Sequence, residues 1–95
     1  MPDFDPDRAW NIHPQVAVRP EPFGALLYHF GTRKLSFLKD RTLVDIVRSL
    51  EDQPSARTAV EAAGVAPEAV DKYVGAVGTL AASQMVVERE SAPAS

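Results

Sequence analysis

Apolar and polar positions alternate with a period of two from Gln15 to Leu38, and the period lengthens to about 3.6 from Asp40 onward. In "HPQVAVRPEPFG" the alternation centres on Val16 and Val18 and is broken by Pro20 and Pro22, which have no N–H to give to a ladder. This predicts a short first strand, about Gln15 to Arg19, with the prolines in a connection or on an edge. "ALLYHF" (25–30) places Leu26, Tyr28 and Phe30 on one face and Ala25, Leu27 and His29 on the other. "GTRK" supplies a glycine-containing turn. "KLSFL" (34–38) is the third strand, with Leu35 and Phe37 on one face and Lys34, Ser36 and Leu38 on the other. The three runs predict a small antiparallel meander.

Leu43, Ile46, Val47 and Leu50 fall at i, i+3, i+4 and i+7, a single apolar stripe to set against the sheet. Asp40 is a suitable N-cap, Thr42 with Asp45 offers a second start, and the proline of "EDQP" stops this helix. Ser55 caps a shorter second helix, "ARTAVEAA", which ends at Gly64, where a left-handed cap is easiest for glycine. Pro67 fits the first position of a third helix, whose stripe is Val70, Tyr73, Val74, Val77, Leu80 and Ala81. Gly75 and Gly78 lie inside it, each costing about 1 kcal/mol of helix propensity against alanine. A close approach to that face or loose packing against a bulky neighbour explains them equally well. "MVVERE" reads as a short extended tail that covers the core with Met85 and Val87. The predicted fold class is α+β, a three-stranded antiparallel β-meander followed by three helices.

Composition narrows what such a fold can do. Ninety-five residues, 45% of them hydrophobic, build one small core but no deep catalytic cavity. One domain is expected over residues 10–90, between flexible tails at 1–9 and 91–95, where "MPDFDPD" and "SAPAS" are rich in proline and small or acidic residues. With no cysteine there is no disulfide framework or thiolate site. No run of about 18 apolar residues appears, and the first ten residues carry acid where a signal peptide needs base. A cytoplasmic location with no membrane partner is therefore expected. The net charge is −3, yet Arg33, Lys34, Lys39 and Arg41 gather four bases around the third strand against the single acid Asp40. Such a cluster is either a solvated edge or a shoulder for an acidic partner.

No catalytic constellation can be assembled. His13 precedes a strand and His29 lies within one, and neither has an acid or nucleophile at motif spacing. Two histidines without cysteine make a poor metal site, and no phosphate-cradling glycine loop is present, so no metal and no cofactor are expected. The third helix is a poor reader of DNA: its one base, Lys72, is set against Glu68 and Asp71, and the rest of its face is valine, alanine and glycine. A small winged-helix DNA-binding regulator is thus a weak alternative, and no nucleic-acid partner is expected.

What remains is an edge. A meander leaves residues 34–38 with backbone groups unpaired on the outer side, and Lys34 is the only charge within that strand to discourage pairing. If the third helix lies alongside, a groove lined by Leu35, Phe37, Tyr73, Val77 and Leu80 can accept an extended peptide as a fourth strand. Two alternatives stay open: Phe37 and the helix valines are simply core, or a second copy covers the edge in a homodimer. The oligomeric state is not fixed by the sequence.

The run "KLSFLKDRTLVDIVRSLEDQPSARTAVEAAG", following the strands, resembles the PqqD-like family of precursor-peptide recognition domains. More narrowly, "HPQVAVRPEPFGALLYHFGTRKLSFL" resembles the N-terminal half of the peptide chaperones of the mycofactocin system. The resemblance spans about residues 10–88, and "EDQPS" departs from the family, in which an Asp-Gly turn is common after the first helix. It implies a non-catalytic, winged helix-turn-helix-like domain that captures the leader of a ribosomally made precursor peptide by strand addition. It also implies presentation of the peptide's C-terminal core to a radical-SAM maturase, which holds the iron–sulfur clusters and S-adenosylmethionine. By position, Arg33, Lys34, Leu35, Ser36, Phe37 and Leu38 would supply the ladder and its basic shoulder, with Tyr73, Val77 and Leu80 as the opposite wall and Val70, Val74 and Ala81 turned to the core.

Overall fold

The computed structural model describes residues 4–89. The chain runs β1 (Trp10–Ile12), β2 (Val16–Glu21), β3 (Gly24–His29), β4 (Leu35–Leu38), α1 (Arg41–Ser49), α2 (Ala56–Ala62), α3 (Val70–Ala82) and β5 (Val86–Glu88), with 3₁₀ turns at Leu50–Asp52 and Pro67–Ala69. The expected meander is β2-β3-β4, antiparallel throughout. Pro20 lies inside β2, which is an edge strand, and Pro22 lies in the turn to β3.

The helix starts follow local chemistry. Asp40 Oδ1 accepts the Thr42 N–H (2.8 Å) to cap α1. Ser55 and Thr58 form a reciprocal capping box on α2, and Gly64 follows that helix at a left-handed φ of 81°. Pro67 opens a 3₁₀ turn that feeds α3. Ile46, Val47 and Leu50 bury against Ala25, Leu27 and Leu38 of the sheet, while Val60, Val77 and Leu80 complete the core from α2 and α3.

A second sheet is absent from the sequence reading: β1 pairs antiparallel with β5, joining Ile12 to Val86 and Trp10 to Glu88. The expected extended tail is thus a paired strand, and its buried residues are Met85 and Val86, with Val87 only half-buried. From Phe4 onward the segment ahead of β1 contacts the domain. The Phe4 ring lies 4.7 Å from Trp10, Asp7 accepts from Arg57 (2.8 Å), and Arg8 pairs with Glu88. Phe4 also accounts for Gly78, where a Cβ would come within 3.1 Å of its ring; at Gly75 a Cβ would meet open space. Of the tails expected at residues 1–9 and 91–95, residues 1–3 and all of 91–95 lie outside the described residues.

Candidate functional site

The direction of each backbone group on β4 follows from its pairing. His29 donates its N–H to the Lys34 carbonyl (3.0 Å), while its own carbonyl closes the turn by accepting the Arg33 N–H (2.7 Å), so this position and every second pair along the register are of the hydrogen-bonded type. Leu27 with Ser36 and Ala25 with Leu38 are therefore bonded pairs, whose polar groups face inward to β3. Leu35 and Phe37 are the alternate residues, and their N–H and C=O groups point outward to an edge that no strand covers among the described residues. Gly24 seats β4 this closely: its φ is 147°, and a Cβ there would fall 2.0 Å from the Leu38 carbonyl oxygen.

The opposite edge is different. Phe30 donates to the Gln15 carbonyl (2.8 Å), so Ala17, Arg19 and Glu21 face β3 while Val16, Val18 and Pro20 face out. The Val16 N–H is taken by the His13 carbonyl (2.9 Å) and Pro20 has none, which leaves Val18 as the single outward donor. Proline blunts β2; nothing comparable among the described residues blunts β4.

The turn that delivers β4 is organised by His29. Its Nδ1 accepts from the N–H groups of Gly31 (3.0 Å) and Thr32 (3.1 Å), which places an N–H on Nε2; that atom is buried with no hydrogen-bond partner among the described residues, and the ring centre lies 4.4 Å from that of His13. Arg33 sits at a left-handed φ of 63° at the end of this turn. Arg33, Lys34, Lys39 and Arg41 are all exposed, and none forms an ion pair among the described residues.

The structure does not gather the expected groove residues in one groove. Ala25, Leu27, His29 and Leu38 are buried on the helix side of the sheet; Leu35 and Phe37, directly across from Tyr28 and Leu26, lie on the other side, 53% and 58% exposed. Val77 (0%) and Leu80 (6%) are core residues, whereas Val70, Val74 and Ala81, expected in the core, pack at its margin. The stripe of α3 is apolar over a wide arc, and one residue of rotation, about 100°, changes which part faces inward. The helix packed beneath β4 is α1; α3 packs on α2, β5 and α1.

Tyr73 ties α3 to the end of β4. Its hydroxyl donates to Asp40 Oδ2 (2.6 Å), and the Lys72 ammonium lies 5.3 Å from its ring centre. The Tyr73 hydrogen bond holds the Asp40 carboxyl below the ordinary carboxylate value, aided by the Thr42 and Leu43 N–H groups and Lys72 and opposed by burial. The same bond, with burial and the Asp40 charge, pushes the Tyr73 hydroxyl up.

The arrangement leaves outward backbone groups of Leu35 and Phe37 with which an extended chain can pair. Among the described residues, no group of three or more His, Cys, Asp or Glu side chains is placed to hold a metal, and no helix is long and apolar enough to cross a membrane. An open cavity of about 320 Å³ lies on the β2 side, lined by Asn11, Ile12, Val18, Val47, Arg48 and Glu51, away from β4.

The sequence model of the Peptide chaperone MftB family matches residues 9–87. The chain is 60% identical over 89 residues to the peptide chaperone MftB of Mycobacterium tuberculosis (strain ATCC 25618 / H37Rv), a match covering 94% of this chain and 82% of that protein. It is 61% identical over 88 residues to that of Mycobacterium ulcerans (strain Agy99), covering 93% and 81%. With that of Mycolicibacterium smegmatis (strain ATCC 700084 / mc(2)155) the identity is 64% over 84 residues, covering 88% and 82%. No solved structure matches the chain.

Proposed function

The chain belongs to the Peptide chaperone MftB family, a family of non-catalytic peptide-binding chaperones, and we propose that it grips a precursor peptide by adding the leader as a strand to β4. The observation that carries this reading is the asymmetry of the two sheet edges. β4 offers the N–H and C=O groups of both Leu35 and Phe37, while β2 is blunted by Pro20 and by the Val16–His13 bond. Backbone ladders give affinity with little regard to sequence, and side chains flanking the ladder supply selectivity.

Four exposed bases, none of them ion-paired among the described residues, flank the strand, Arg33 and Lys34 before it and Lys39 and Arg41 after it, and this supports an acidic leader. Leu35, Ser36, Phe37 and Leu38 form the ladder strand. Tyr73 acts through Asp40 by fixing α3 to the strand's end, and Val77 and Leu80 act from the core beneath. The bound precursor, of the mycofactocin type by the resemblance, is then delivered to a radical-SAM maturase. Holding the leader raises the effective concentration of the core peptide at that enzyme, provided both partners are engaged at once.

Calorimetric titration with a synthetic acidic precursor leader tests the capture step. Saturable 1:1 binding is expected. No heat up to high micromolar peptide, together with a concentration-dependent dimer in sedimentation, would favour a second copy on this edge instead.

A further inference from the structure

The face of the meander turned away from the helices carries the exposed large hydrophobic residues Phe23, Phe30, Leu35 and Phe37, which the fold leaves unexplained. Leu26 and Tyr28 of β3 and Leu35 and Phe37 of β4 share it by register. Phe23 joins it from the β2–β3 turn with its ring centre 6.0 Å from that of Phe37, and Phe30 meets Tyr28 edge-on at 5.1 Å. Phe23 is 41% exposed and Phe30 58% exposed. On β2 the same face carries Ala17, Arg19 and Glu21, so the apolar part is confined to β3 and β4 and runs directly onto the open edge. A contiguous apolar surface of this kind marks a contact site more often than chance exposure.

Register determines what the surface would meet. A strand added beside β4, in either direction, places the residues opposite Leu35 and Phe37 with their side chains on this face, and the residue between them, opposite Ser36, on the helix side. Resting on the strand-addition reading above, we infer that this aromatic face is a second recognition surface for the same peptide. The segment recognised is extended and carries aromatic or branched aliphatic side chains at positions i and i+2, packed against Leu35, Phe37 and Phe23. Its acidic residues lie beyond this pair, toward Arg33 and Lys34 at one end and Lys39 and Arg41 at the other. β4 is only four residues long, so the apolar pair is central and both charged flanks fall within a few residues of it. The bases alone would accept any acidic strand; the face rejects those whose i and i+2 positions are polar.

The probe is a display library of random 12-residue peptides selected on the intact chain. The tightest selected peptide is then titrated into the wild type and into the Phe23→Ser and Phe37→Thr variants, and amide exchange at Leu35 and Phe37 is followed. Both rings lie on the surface outside the buried core, so the variants keep the fold, which a denaturation midpoint verifies. The expected result is apolar residues two apart in the selected peptides, about tenfold weaker binding for each variant, and slowed Leu35 and Phe37 amides. Slowed amides with variant affinities within twofold of wild type would overturn the second surface while leaving strand addition intact. Unchanged amides would overturn strand addition itself.

Discussion

Proline placed at adjacent positions of β4 separates the ladder that builds the sheet from the ladder offered to a partner. The Ser36 N–H points inward to the Leu27 carbonyl, and Leu27 is fully buried. Ser36→Pro therefore removes an internal bond and strands a buried acceptor, at a cost of about 2–4 kcal/mol. A chain of this size has about 5–14 kcal/mol in total, so the loss is a large share of its stability. The Leu35 N–H points outward, and Leu35 is the first residue of β4, a position where proline is tolerated. Leu35→Pro is expected to keep stability within about 1 kcal/mol of a Leu35→Ala control, because no internal bond is lost. Against that control it removes one donor to the added strand, worth about 1–2 kcal/mol, or roughly 5- to 30-fold in Kd. Urea denaturation reads the first quantity and calorimetric titration with the precursor leader reads the second. Equal destabilisation by the two prolines, or leader binding by Leu35→Pro equal to that of Leu35→Ala, would refute the assignment of inward and outward groups.

Four further outcomes are expected. Tyr73→Phe should lower the melting temperature and flatten its pH dependence. The Asp40 carboxyl is depressed in the fold, so its stabilisation is present above the ordinary value of 3.8 and is lost as pH falls through the lower folded value; the raised Tyr73 hydroxyl contributes below 10.0 and is lost as pH rises beyond it. Melting curves from pH 2 to 11 check both limbs, and an unchanged acid limb in the variant would count against the Tyr73–Asp40 bond. Gly75→Ala should gain about 0.5–1 kcal/mol, since open space surrounds that site, while Gly24→Ala should lose at least about 1–3 kcal/mol from its backbone conformation alone; denaturant midpoints distinguish them. Reversing Arg33 and Lys34 to glutamate should weaken leader binding more at low salt than at high, because exposed charges are screened over about 10 Å at 0.1 M; equal losses at both would contradict a through-solvent role.

The meander and helices were legible because their periods are clean and their caps are local: Asp40, Ser55, Gly64 and Pro67 each act within a few residues. β1 was not legible, since three residues carry no readable period and its partner β5 lies some 75 positions away. The same distance hides Phe4 from Gly78. Alternation correctly sorted β4 into two faces, but which face meets the helices depends on packing between α1 and the sheet. Leu35 and Phe37 therefore looked like one wall of a groove with α3, though they lie on the opposite side of the sheet. The rotation of α3 was undetermined for a related reason, because apolar residues occupy most of its circumference. The blunting of β2 was half-visible in Pro20; that Val16 is also occupied required the His13 contact.

Strand addition at β4 is tested most directly by residue-resolved amide exchange of the chain with and without the precursor leader. In the free chain Ser36 and Leu38 should exchange slowly and Leu35 and Phe37 fast. The leader should slow Leu35 and Phe37 and leave Val18 on the β2 edge unchanged. Saturating binding with Leu35 and Phe37 still fast, or with protection appearing at Val18, would contradict the account.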